Sequence, residues 1–278
     1  MTTFQILIDA FLKAVTHLTP ISRTLPDSVE KGLLHWNMPG PELELLVLLT
    51  ASVSFLIFFR FDWLGMISAG VTSITQPLSL RQEKRTLDQH TLLFIVIVFI
   101  PKLVFRWVLG RQILDSDLLN HSLFVGGLCL ITGTGFWFSK KWNRRIHGLN
   151  HLKLSHACLL SLVVLFSIHP AFNFIGLLWI GLALCNYHYE AVFKYSMLIL
   201  GLSLFWHTFS MISSVGIRDA LDQIGHLNSV AVLVVSFTVF WIGLENLQKN
   251  LSEHSYSNFQ WLNWASGIYF MIFHFFRS

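Results

Sequence analysis

Six runs of apolar residues, at about 42–60, 91–109, 118–138, 192–212, 227–247 and 258–276, are each long enough to cross a bilayer as a helix. The hydrocarbon core is about 30 Å thick, so a helical crossing takes roughly 20 residues. With six such runs in 278 residues, no polar stretch is left that could build a soluble domain. Composition agrees: 54% of residues are hydrophobic and 12% are charged, against about a quarter charged in globular domains. The sequence therefore predicts an all-α polytopic membrane protein, a single integral domain over residues 1–278.

Charge sets the orientation. The densest basic clusters, "RQEKR" at 81–85 and "KKWNRR" at 140–145, are separated by two of the runs, which places both on one side. By the positive-inside rule that side is the cytoplasm. The net charge of +4 is thus explained by cytoplasmic loops, and the scatter of basic residues between spans argues against a nucleic-acid partner. Cys129, Cys158 and Cys185 all sit in apolar segments without metal-ligand spacing and read as core residues. The N-terminus lacks the basic start of a secretory signal and reads as part of the fold.

Two further regions are apolar yet interrupted. Residues 4–36 are split by "LTPISRTLP", and residues 154–185 by the stretch "FSIHPAFNFIGLLWIGL" (166–182). Proline removes a donor from the helical ladder and disfavours helix at the residue before it. Both regions are predicted to enter the bilayer and return as re-entrant hairpins, and irregular backbone at that depth must be buried in protein or line a wet cavity. Pro20 and Pro170 lie 150 positions apart and each hairpin precedes three spans. The chain thus divides into two repeats, about 1–140 and 150–278. Three crossings per half is an odd number, so the second repeat is inverted, with a polar site expected where the breaks meet.

Other polar residues have plainer readings. Asp9 with Lys13, Glu190 with Lys194 and Glu245 with Lys249 have the i, i+4 spacing of helix-surface ion pairs. His147, His151 and His156 lie beside a basic loop and read as an interfacial segment rather than a metal site. Most Trp and Tyr residues fall near span ends, where aromatic rings anchor helices. Glu42 and Glu44, at the start of a span, are the acids best placed to serve a membrane site.

The segments "ILIDAFLKAVTHLTPISRTL", "IPKLVFRWVLG", "SLFVGGLCLITGTGFWF", "LSLVVLFSIHPAFNFIG" and "NSVAVLVVSFTVFWIGL" occur in an order and spacing that resemble bacterial undecaprenyl-diphosphatases of the bacitracin-resistance type, over nearly the whole chain. That resemblance implies six spans and two re-entrant hairpins in interdigitated inverted repeats, in the bacterial inner membrane. It implies hydrolysis of undecaprenyl diphosphate to the monophosphate on the outer face, in the recycling of the peptidoglycan lipid carrier. A polyprenyl diphosphate lipid is the expected partner; the cofactor is left open, a divalent cation such as Mg²⁺ or Ca²⁺ being one that the resemblance allows, and so is a homodimer.

Family signatures look like EGxTEFLPVSSTGH and PGxSRSGATI. Pro20, Ser22 and Thr24 match the first, while Thr16 stands where a Glu is expected, Arg23 replaces a Ser and Pro26 the His. Pro170, Phe172 and Gly176 match the second, while Asn173 replaces Ser and Phe174 the phosphate-binding Arg. Two readings follow. In one, a rebuilt site hydrolyses the lipid, with His17 or His169 as catalytic base or nucleophile and Ser22, Arg23, Thr24 and Asn173 binding phosphate. In the other, the scaffold binds or transports polyprenyl phosphate without catalysis.

Overall fold

The computed structural model describes residues 2–22, 25–26, 28–29, 36, 40–75, 87–114, 122–148, 152–165, 167, 173–253 and 258–277. Among these, eleven α-helices form: α1 (Thr3–Leu18), α2 (Pro41–Phe58), α3 (Arg60–Thr75), α4 (Leu87–Leu114), α5 (Ser122–Trp142), α6 (Leu154–Leu165), α7 (Phe174–Leu184), α8 (Tyr189–Ser214), α9 (Ile217–Ile224), α10 (His226–Glu253) and α11 (Asn258–Arg277). Five contain segments long and apolar enough to cross a membrane: Pro41–Phe58, Leu87–Phe105, Ser122–Trp142, Tyr189–Ser214 and His226–Asn250. The sixth expected crossing forms α11, a 20-residue helix that carries Gln260, Asn263 and His274 and is less apolar. Large apolar side chains such as Phe61, Trp107, Leu227 and Phe275 are exposed, as befits a surface solvated by lipid.

Two helices were not foreseen. Phe59, at φ −99° and ψ 24°, ends α2, and the chain resumes as α3. That helix exposes Phe61, Leu64, Ile67, Val71 and Ile74 at helical spacing while burying Met66 and Ala69 on the side that packs against α4. Its polar Asp62 is paired with Lys194 of α8, so Lys194 joins two helices where an intrahelical partner, Glu190, was expected. Short α9 runs between Gly216 and Gly225, both at positive φ (82° and 83°), a conformation glycine adopts at little steric cost.

Packing is reciprocal between the halves. α1 from the first half lies against α10 of the second, and α6 from the second lies against α4 of the first. α8 forms the centre, touching α2, α4, α7 and α10. It buries residues along most of its length, including Tyr195, Met197 and Leu200.

α5 and α11 form the most intimate pair. A Cβ on Gly126 would lie 2.9 Å from the Gly267 carbonyl, and one on Gly133 would lie 2.7 Å from Trp264 Nε1 and 3.0 Å from the Gln260 carbonyl. Small residues are what allow two helix backbones to approach this closely in lipid. Gly133→Val is therefore expected to lower the thermal unfolding midpoint in detergent by an amount equivalent to about 1–3 kcal/mol. Gly127→Ala, whose new methyl meets nothing within 4 Å, should leave the midpoint unchanged or raise it. An equal response from the two variants would refute the close approach.

Candidate functional site where two helix breaks cross

Both interruptions are real and they touch. α1 stops at Leu18, and Thr19 takes extended geometry (φ −99°, ψ 152°). The second helical pair ends at Leu165 and restarts at Phe174, with Asn173 extended as the N-cap (φ −75°, ψ 118°). Neither region runs through as one helix.

The break at Pro20 frees three consecutive carbonyls, and each finds a side-chain donor. Asn173 Nδ2 donates to Thr19 O at 2.8 Å and also to Ile21 O. Asn263 Nδ2 of α11 donates to Pro20 O at 2.8 Å. In turn Asn173 Oδ1 accepts from Gly176 N at 3.0 Å, which settles which way round the amide lies. An Asn side chain has two N–H donors, and both are spent here. Asn173, expected from the sequence to bind phosphate, is thus a clasp between the breaks and the cap of α7. Gly176 completes the join, since a Cβ there would lie 3.3 Å from the Pro20 side chain.

Beside the clasp stands a line of ionisable groups. Asp9, Lys13 and His17 recur at i, i+4 and i+8, so they share one face of α1. All three are buried, at 0%, 8% and 4% exposure, because α1 is clamped between α10 and α2. The Asp9–Lys13 pair forms, with Lys13 Nζ 3.8 Å from Asp9 Oδ1, but inside the bundle rather than on a helix surface. At the inner end of the line, His17 Nε2 is 4.0 Å from Oε1 of Glu44, in the first turn of α2. That separation suits charge attraction and exceeds a direct hydrogen bond. Thr16, also buried, donates to Lys13 O at 3.0 Å. Ser22 is 1% exposed and hydrogen-bonds the thiol of Cys129.

The other expected site residues, Arg23, Thr24 and His169, lie outside the described residues, as does His151. His147 and His156 pack together, ring centroids 5.6 Å apart, with His156 Nδ1 3.2 Å from the hydroxyl of Tyr187. Tyr187 is fully buried there, so it is a structural ring rather than an interfacial anchor. Among the described residues no three His, Cys, Asp or Glu side chains converge. Mg²⁺ and Ca²⁺ take six or more oxygen ligands, several of them supplied by carboxylates and carbonyls. The crossing offers one carboxylate within reach of His17, and its free carbonyls are taken by amides, so the described residues do not fit such a cation.

Two participants escaped sequence reading. Asn263 sits between Trp261 and Trp264 in a stretch that reads as an interfacial anchor. Lys102 follows Pro101 within α4, three residues before the end of its apolar crossing segment, and is buried at 7% exposure. Its Nζ lies 3.4 Å from the ring centroid of Phe174 and donates to Ser203 Oγ at 3.1 Å. A signal for it was present: a charge in a span costs on the order of 3 kcal/mol on insertion scales and marks a functional site by default.

These features define a class: a multi-pass all-α membrane protein whose two broken helices cross beside a buried row of ionisable groups. Residues 6–269 match the family described as bacitracin resistance protein BacA, and the chain belongs to that family. Among curated proteins it is similar to an undecaprenyl-diphosphatase of Desulforudis audaxviator, 22% identical over 266 residues and 93% of each chain. It is similar to an undecaprenyl-diphosphatase 2 of Halalkalibacterium halodurans, 23% identical over 88% of this chain and 86% of that one. An undecaprenyl-diphosphatase of Alcanivorax borkumensis is 22% identical over 72% of each.

Proposed function

We propose that the protein hydrolyses undecaprenyl diphosphate to undecaprenyl phosphate and inorganic phosphate at the outer face of the bacterial inner membrane. Family membership supports the reaction class, and the His17–Glu44 pair beside the clasped breaks is the observation that carries the assignment to this chain. A single water oxygen about 2.8 Å from each partner spans their 4.0 Å separation. In this reading that water attacks the terminal phosphorus, its proton passes to His17, and the imidazolium so formed is stabilised by the Glu44 carboxylate. The bridging P–O bond breaks and undecaprenyl phosphate leaves.

Ser22, Arg23 and Thr24, which follow the break at Pro20, are assigned to the phosphate oxygens, where positive charge and hydroxyl donors stabilise the transition state. His169, which lies outside the described residues, is kept as the alternative base or nucleophile. Residues 1–140 and 150–278 act as inverted repeats in this reading, which the exchange of α1 and α6 between halves supports.

The test is release of inorganic phosphate by the purified protein in detergent supplied with undecaprenyl diphosphate. Release is expected. No release, with the lipid still bound, would replace hydrolysis by the non-catalytic binding or transport reading.

A further inference from the structure

We infer that the end of α5 and the loop after it form a docking site for the headgroup of an anionic phospholipid, held by Lys140, Lys141, Arg144 and Arg145. This goes beyond the proposed reaction and does not depend on it.

The first observation is uncompensated charge. All four cations are exposed, and among the described residues none has an acidic partner within ion-pair distance. Glu190, exposed at the head of α8, pairs with none of them, and Lys194, the base spaced to meet it, is committed to Asp62.

The same stretch also bares apolar surface. Trp142 and Ile146, on either side of Arg144 and Arg145, are each 61% exposed, and Trp137 and Phe138 are exposed one turn earlier. Water alone would leave that surface unfavourably solvated. α5 is 21 residues long and apolar enough to cross a bilayer, and a helix of that length reaches the headgroup layers with its ends. At such an end aromatic rings and the stems of Lys and Arg lie against acyl chains while the charged tips meet phosphate. An anionic headgroup accounts for both the charges and the bare apolar side chains.

The loop is held in shape for this. Asn143 Nδ2 donates to Tyr187 O at 3.0 Å, and Asn143 Oδ1 accepts from Arg145 N at 2.8 Å. Arg144 N donates to Asn186 Oδ1 at 2.8 Å. His147 N donates to Asn186 O at 3.0 Å, and His188 N donates to His147 O at 2.9 Å, which ties the loop to the turn between α7 and α8. Arg145 and Asn186 are the non-glycine residues at positive φ among those described, at 51° and 63°. Asparagine takes that region readily; arginine does not. The Arg145 guanidinium lies 4.2 Å from the centroid of the Tyr189 ring and donates to the Tyr189 hydroxyl at 2.8 Å, one use of its five N–H donors. Strain retained at a position that fixes a charge is what a binding site requires and a plain connection does not.

The test titrates the purified protein in detergent with phosphatidylglycerol or with phosphatidylcholine of the same acyl chains, and counts bound lipid by native mass spectrometry. At low salt the wild type should prefer phosphatidylglycerol by about 10- to 100-fold, from roughly two- to fivefold per cation, and the preference should shrink as salt rises. Lys140→Gln, Lys141→Gln and Arg144→Gln combined should lose most of that preference and keep the affinity for phosphatidylcholine. Their thermal unfolding midpoint without added lipid should change little, since the three exposed side chains make no ion pair among the described residues. Asn186→Gly keeps every charge but removes the brace on Arg144 N, and should weaken phosphatidylglycerol binding about two- to threefold through lost preorganisation. Arg218→Gln is the control, an exposed cation on α9 with Asp222 3.9 Å away, and should alter neither affinity. Equal affinity of the wild type for the two lipids, or a preference that survives in the triple variant, would overturn the inference. So would an equal loss in Arg218→Gln, which would reduce the effect to net charge.

Discussion

Glu44→Gln and His17→Ala are each expected to lower phosphate release from undecaprenyl diphosphate by about 10²- to 10³-fold, the usual contribution of a positioned proton-transfer group. Glutamine keeps the shape of Glu44 and removes the charge that faces His17 Nε2 across 4.0 Å. The loss should appear mainly in kcat, since the imidazolium it stabilises forms only as the proton moves. In the proposed mechanism the two groups act on one water, so the double variant should be little worse than the poorer single one. Glu42→Gln is the control: Glu42 lies two residues away, its carboxylate against Gly40, and its loss should change the rate less than about twofold. Measuring all four proteins at matched folding state checks this. Full additivity of the two losses, or equal loss in the Glu42 variant, would remove the pair from the reaction.

Asn173→Leu is expected to destabilise the protein more than any other single polar-to-apolar change at the crossing. It orphans the carbonyls of Thr19 and Ile21 and deletes the N-cap of α7. Buried orphaned acceptors cost about 1–3 kcal/mol each in soluble proteins, whereas hydrogen bonds within membranes average nearer 0.6 kcal/mol because the unfolded chain also finds partners. The total should lie at about 2–4 kcal/mol. Asn263→Leu should cost less, since it orphans only Pro20 O; its other acceptor, Phe259 O, lies within the same helix. Asn173→Asp should match or exceed the Leu variant, because it turns a donor into an acceptor facing two carbonyls. Thermal unfolding in detergent gives the order directly, and Asn263→Leu proving the worse of the two would refute the clasp.

The prolines made the breaks legible, and the requirement that freed backbone groups be satisfied made their meeting legible too. The agents of satisfaction were less visible. Asn173 was noticed because it interrupts an apolar run, yet its structural role was not legible: a single amide near a phosphate signature gives no sign that its N–H groups reach carbonyls 152 and 154 residues upstream. Asn263 is hidden by two tryptophans, one of which, Trp264, packs on Gly133 rather than at an interface. Asp9 and Lys13 looked like an exposed pair because spacing reports which residues share a face, not what covers it. Glu44 was readable as an acid at the head of a span, but its pairing with His17 depends on the angle between α1 and α2.

The sequence alone determined that this chain is helical and multi-pass, where its two helix pairs break, and which family signatures it keeps or loses, because hydropathy, proline chemistry and motif spacing act within short stretches of chain. Tertiary structure decided which groups stand at the crossing. It brought His17 to Glu44, set Asn173 and Asn263 on three carbonyls of one break, and set Lys102 of α4 against the head of α7. Those encounters join residues from 27 to 243 positions apart, and only the packing of helices against one another fixes such distances.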